Sequence, residues 1–297
     1  MRHAWMYVFA SISTCFATAA AHAHGAVGKR VFIEPFVTED ANPKNEFVIA
    51  KPGFFNTDEG NVFSLGFALE KKLSNNFSLT LEGEWTSERA GGQPHVEGFQ
   101  NPGILLKYSV WKDLAREFIL SPALEIEFPL GDREVGAARE LIVAPLLLFA
   151  RGLGDLPQSL SYLHPLALMG DIGFEILTNA ETETVLKYDI LLMYSLPYLR
   201  AHVRELDAPW PFTRLIPLVE FNFETGVNGE ARLTKARLTP GVVYQGQFVQ
   251  LGVAGQFPLN RTTARELDPS LLFLVDLFYD DLFPALAQTS WGTGSKE

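Results

Sequence analysis

The stretch Phe77-Ser78-Leu79-Thr80-Leu81-Glu82-Gly83-Glu84-Trp85 puts Phe, Leu, Leu, Gly and Trp at odd positions and Ser, Thr, Glu and Glu at even ones. Successive side chains of a strand point to opposite faces, so this segment, when extended, has one apolar and one polar face. Wound as a helix, Glu82 and Glu84 would splay about 200° apart and interrupt any apolar stripe. The same period recurs. Phe118, Leu120, Pro122, Leu124, Ile126 and Phe128 alternate with Ser121, Ala123, Glu125 and Glu127. Leu215, Val219, Phe221 and Phe223 alternate with Glu220, Asn222 and Glu224, and Val249, Leu251, Val253 and Phe257 alternate with Gln250, Gly252, Ala254 and Gln256. Weaker alternation marks 62–73, 104–111, 141–151, 166–178, 185–196, 233–244 and 270–279, giving eleven candidate strands. A twelfth, in 31–37 or 47–51, completes an even number.

Two architectures fit this pattern. A soluble sandwich or lipocalin-like barrel would turn its apolar faces inward. An outer-membrane barrel would turn them to lipid and its polar faces to the lumen. Length favours the second, because many runs reach 9–13 residues, and a tilted membrane strand needs about 9–11 against a globular mode of about 5–6. Aromatic residues sit toward strand ends (Trp85, Tyr108, Trp111, Phe128, Tyr244), where interfacial girdles lie. Connections alternate between tight turns (74–76, 246–247) and longer polar loops (86–100, 129–140, 225–232, 258–268), as a closed meander with periplasmic turns and outer loops requires. The longest later apolar run, 141–150 (LIVAPLLLFA), is too short for a membrane helix and holds a proline. The expected fold is therefore an all-β transmembrane antiparallel barrel of about 12 strands. Segments 152–164 and 197–213 fall where turns should be short. They are expected to be short helical or irregular periplasmic pieces. The second is read as a long connection, with a partial plug under the barrel mouth as the alternative.

Composition agrees. The chain has 297 residues, 24 Lys and Arg against 35 Asp and Glu, and a net charge of −11. That balance argues against nucleic acid, which needs a basic face. Apolar residues make up 47%, with 23 Phe, too many for a disordered chain. Arg2 and His3 precede an uncharged run to Ala20 and then Ala21-His22-Ala23, the small-x-small pattern of a secretory signal cleaved after Ala23. A retained anchor and lipidation at Cys15 are the weaker readings: the run is marginal for spanning, and Ile12-Ser13-Thr14 is only a partial lipobox. Cleavage removes the single cysteine, so the mature chain has no disulfide and no thiolate metal site. The expected organisation is a signal peptide at 1–23, an N-terminal periplasmic extension at 24–45, a barrel at 46–285 and a C-terminal tail at 286–297, located in the cell outer membrane.

Asn101-Pro102-Gly103 precedes a strand ending at Tyr108, and Thr239-Pro240-Gly241 precedes one ending at Tyr244. Partner strands end in Phe128-Pro129-Leu130 and Phe257-Pro258-Leu259. Together with the start His24-Gly25…Gly28-Lys29-Arg30 and the closing Phe278-Tyr279-Asp280-Asp281-Leu282-Phe283-Pro284, this resembles the meta-pathway phenol-degradation family of bacterial outer-membrane proteins, related loosely to aromatic-compound channels. The resemblance implies an outer-membrane barrel permeating small or aromatic molecules, and carries no catalytic residues.

The sequence holds no G-x-S-x-G, H-E-x-x-H or P-loop pattern. His24, His95, His164 and His202 lack ligand spacing, and His202-x-x-Glu205 reads as a solvated helix face. Sequons at Asn76 and Asn260 are incidental in a bacterial barrel. No enzyme, metal or cofactor is expected. The strongest constellation is ionic. Glu82, Glu84, Glu125, Glu127, Asp171, Glu175, Asp189, Glu220 and Glu224 share the polar parity of their strands with Lys107, Lys187, Lys235 and Arg237. In a barrel they are lumen-lining candidates. They form either an acidic lining that favours cations or a network of paired charges that closes the pore. The expected function is a narrow, partly filled channel for small, aromatic or hydrophobic solutes, with membrane lipid and the solute as partners. The alternatives are a sealed structural or surface-interaction barrel and, less well supported, a membrane-embedded hydrolase, for which no nucleophile–base pair accompanies the acids.

Overall fold

The computed structural model describes residues 26–57, 60–90, 94–178, 184–228 and 233–283. The expected signal peptide, His24 and the tail at 286–297 lie outside the described residues. Twelve strands form the barrel wall: β1 Glu46–Thr57, β2 Gly60–Lys72, β3 Phe77–Ala90, β4 Gly103–Tyr108, β5 Phe118–Glu127, β6 Ile142–Gly152, β7 Leu166–Leu177, β8 Val185–Tyr194, β9 Leu215–Gly226, β10 Thr234–Gln245, β11 Val249–Pro258 and β12 Ser270–Leu277. Each pairs antiparallel with the next, and β12 pairs with β1, so the sheet closes and no edge is left to lipid. Of the two candidate positions for the remaining strand, the second is the wall strand.

Alternation sorts the two faces. On β12, Ser270, Leu272, Leu274 and Asp276 are buried while Leu271 and Phe273 are exposed. On β11, Gln250, Ala254 and Gln256 are buried while Leu251, Val253 and Phe257 are exposed. The polar parity therefore faces in and the apolar parity out, the inverse of a soluble protein and the arrangement suited to lipid. Aromatic pairs collect near both rims: Trp111 on Phe118 (5.0 Å) and Trp210 by Tyr244 (6.3 Å) at the short-turn end, Phe54 on Phe63 (4.9 Å) and Tyr188 stacked on Phe223 (4.9 Å) toward the other.

The ladder of β1 with β2 shifts register between Val48 and Lys51. Such a bulge inserts a residue and resets the alternation. It lets Val48 (2% exposed) and Lys51, three positions apart, both face inward. Part of the 86–100 loop is strand: β3 continues to Ala90, and Val96–Phe99 pairs back on Trp85–Glu88, so this hairpin rises beyond the wall. The segment 197–213 begins in a short helix, α1 (Leu196–His202), capped by Ser195, whose hydroxyl accepts the Tyr198 N–H at 3.2 Å.

Candidate functional site

The lumen is occupied. Residues 32–45, just before β1, run inside the wall with Phe32, Ile33, Phe36 and Ala41 buried. An irregular backbone at this depth needs side-chain partners for its N–H and C=O groups, and the inner faces supply them. The Glu220 carboxylate on β9 accepts the N–H groups of Phe36 (2.8 Å), Val37 (3.0 Å) and Thr38 (2.8 Å) and the Thr38 hydroxyl (2.9 Å). Asp171 on β7 accepts the Glu39 N–H at 2.9 Å. Gln250 on β11 accepts the Glu34 N–H (3.2 Å) and donates to its carbonyl (2.7 Å). Ser121 on β5 donates to the Ala41 carbonyl at 2.6 Å. These anchors lie on four strands spread around the circumference, so the segment crosses the lumen rather than lining one side.

Where the segment enters, at the short-turn end, a buried arginine holds it. Arg30 is 0% exposed. It donates to the Glu117 carboxylate (3.3 Å), to the Pro165 carbonyl (2.8 Å) and to the His164 carbonyl, and its guanidinium lies 3.9 Å from the Tyr198 ring centre. Glu117 also accepts the Tyr198 hydroxyl (2.8 Å) and the Gly154 N–H (3.3 Å) from a left-handed backbone (φ 49°). Burial, then the bond to the Glu117 carboxylate, pushes the Tyr198 hydroxyl up to about 12. Gly28, at φ 67°, turns the chain ahead of Arg30; a Cβ there would meet the Leu114 carbonyl oxygen.

The thirteen sequence-derived lumen candidates divide into four groups. Glu220 and Asp171 seat the segment. Six are paired: Lys107 with Glu70 (3.3 Å), Glu175 with Lys187, Glu224 with Arg237 (2.6 Å) and Lys235 with Glu266 (2.5 Å). Asp189 lies across the ladder from Asp171 and accepts the Phe223 N–H at 3.2 Å. The remaining four border open space. Glu82, Glu84, Glu125 and Glu127 line a cavity of about 280 Å³ that Glu34 and Glu39 of the segment complete. That cavity is walled by eight carboxylates and two lysines, and both lysines are already paired, Lys51 with Glu34 and Lys107 with Glu70. Its field is therefore negative. A second cavity of about 730 Å³ is lined by the charged Glu84, Lys187, Glu224 and Arg237 and by the apolar Phe36, Phe55 and Leu272.

Among the residues absent from the sequence-derived set are six that lie in or beside the segment: Arg30, Glu34, Glu39, Asp40, Lys44 and Glu46. Their signal was the composition of 29–46, where seven charges interleave with Phe32, Ile33 and Phe36. Such a mixture suits neither lipid nor a free tail, but it does suit a polar lumen. Among the described residues no group of His, Cys, Asp or Glu is placed to hold a metal ion. His202 packs edge-on against the Tyr198 ring (4.7 Å).

With this geometry in hand, two solved structures are informative. An outer membrane channel from Pseudomonas putida F1 superposes with a TM-score of 0.52 at 11% identity, over 83% of this chain and 99% of that one. The NanC porin superposes with a TM-score of 0.50 at 7% identity, over 77% of this chain and 98% of that one. The fold is that of outer-membrane β-barrel channels. No family model and no curated protein matches the sequence.

Proposed function

We propose that the protein is a narrow channel of the outer membrane that passes small solutes, the lumen candidates with the N-terminal segment forming its lining and constriction. The observation that carries this reading is the pair of cavities inside a closed barrel, about 280 and 730 Å³, beside a segment that leaves part of the lumen open. An apolar coat toward lipid and a charged interior are what such a channel needs. The aromatic rings among the residues lining the larger cavity, Phe36 and Phe55, agree with the aromatic or hydrophobic solutes that the family resemblance implies. The purified barrel, shown to be folded by heat-modifiable gel migration, is expected to give discrete conductance steps in planar bilayers. A folded barrel that never conducts and takes up no solute refutes the reading.

A sealed structural barrel is the second reading, favoured by the number of bonds that hold the segment in place. It predicts no conductance and a partner whose binding needs residues 86–100 and 129–140. The hydrolase has less support. The contact between the Ser87 hydroxyl and the His95 ring (2.7 Å) is exposed on the outer hairpin and is not among the cavity acids.

A further inference from the structure

The 280 Å³ cavity is bordered toward the long-loop end by Gln100, Asn101 and Glu127. A smaller cavity of about 150 Å³ lies at the short-turn end, among Asn42, Lys44, Lys72 and Lys112. Glu46 is the one described residue that lines both. The larger 730 Å³ cavity shares no described lining residue with the short-turn one. At the junction the Lys44 ammonium lies 2.9 Å from Glu46, 3.0 Å from Asp40 and 3.7 Å from Glu34, with Lys44, Asp40 and Glu46 all at least 95% buried. The Asp40 Oδ1 atom has no hydrogen-bond partner.

We propose that this junction is the constriction of the permeation path, and that Lys44 is a tethered cation occupying the place a permeating cation must take. The proposal rests on the channel reading above. The cavity on the long-loop side gathers cations, because its carboxylates outnumber its lysines and both lysines are engaged. A cation moving on toward the short turns meets the Lys44 ammonium, bound by three carboxylates on two pieces of chain. That group is a compact charge on a flexible four-carbon stem, so it can leave and return without backbone movement. The N-terminal segment therefore does more than narrow the pore: it carries the charge that sets which ions cross.

The test compares wild type, Lys44→Gln and the charge-balanced double variant Asp40→Asn/Lys44→Gln in planar bilayers under a potassium chloride gradient. Arg116→Gln, on an exposed loop, serves as the charge control. Both lysine variants are expected to raise single-channel conductance about threefold or more and to move the reversal potential further toward cations, with Arg116→Gln unchanged. The double variant carries the test if the single one fails to fold. Variants that conduct when wild type is silent support the gate in a closed form. Wild type and both variants conducting alike, with one reversal potential, overturns the gate and leaves the channel standing. Silence from every folded form overturns the channel reading and the gate with it.

Discussion

Glu220→Ala removes the main seat of the N-terminal segment. The side chain is 0% exposed and accepts four hydrogen bonds at 2.8–3.0 Å, three of them from consecutive backbone N–H groups. Hydrogen bonds to a charged group are worth about 1.5–3 kcal/mol each, so four at the low end give about 6 kcal/mol if they were independent. Three bonds share one oxygen and water re-enters the vacated space, so we take about half, 3 kcal/mol. That raises the open-to-seated ratio of the segment about 100-fold. Hydrogen exchange by mass spectrometry reads it directly: a peptide covering Phe36–Thr38 is expected to lose about 100-fold in protection while wall-strand peptides keep theirs. Glu220→Gln, which retains one acceptor oxygen, is expected to fall between. Protection within about threefold of wild type in Glu220→Ala would refute the seat.

Arg30→Ala leaves Glu117 buried without its cation and is expected to cost about 3–5 kcal/mol in unfolding of the barrel, whereas Arg116→Ala, from an exposed pair with Asp113, is expected to stay within about 0.5 kcal/mol; equal losses in denaturant titrations would remove the special role of Arg30. Val253→Arg places a charge on the lipid face near mid-strand and is expected to destabilise the barrel by about 2–4 kcal/mol in liposomes, a loss that a soluble, inward-apolar barrel would not show. Tyr198, held up to about 12, keeps its proton well past the ordinary tyrosine range. A raised acid contributes stability below its unfolded value, and that contribution fades as the pH climbs toward 12. Ultraviolet titration is expected to show a late tyrosinate step that Tyr198→Phe abolishes; an unchanged curve would contradict the bond to Glu117.

The strand wall was legible because alternation is local. Each of β3, β5, β9 and β11 carries its own face assignment in ten or so consecutive residues, and the parity that placed Glu82, Glu125 and Glu224 together needed no knowledge of any other strand. The choice between the two candidate positions for the remaining strand was not local. Residues 31–37 have strand-forming composition, but Glu46–Thr57 has the length to span and neighbours on both sides, so it entered the wall and the earlier segment took the interior. The bulge at Val48/Lys51 was likewise hidden, since it breaks the alternation where Lys51 turns in to meet Glu34.

The sequence by itself determined that the wall is a closed set of alternating strands and which parity of most of them is polar. Only the tertiary structure decided what fills the lumen and how the charges divide into seats, pairs and open cavity walls. Glu220 meets Phe36 across 184 residues of chain and Arg30 meets Glu117 across 87. Partners that far apart leave no periodic trace, because their meeting depends on closing the sheet first; the barrel brings polar faces from every strand onto one axis, and the segment that can satisfy them settles there.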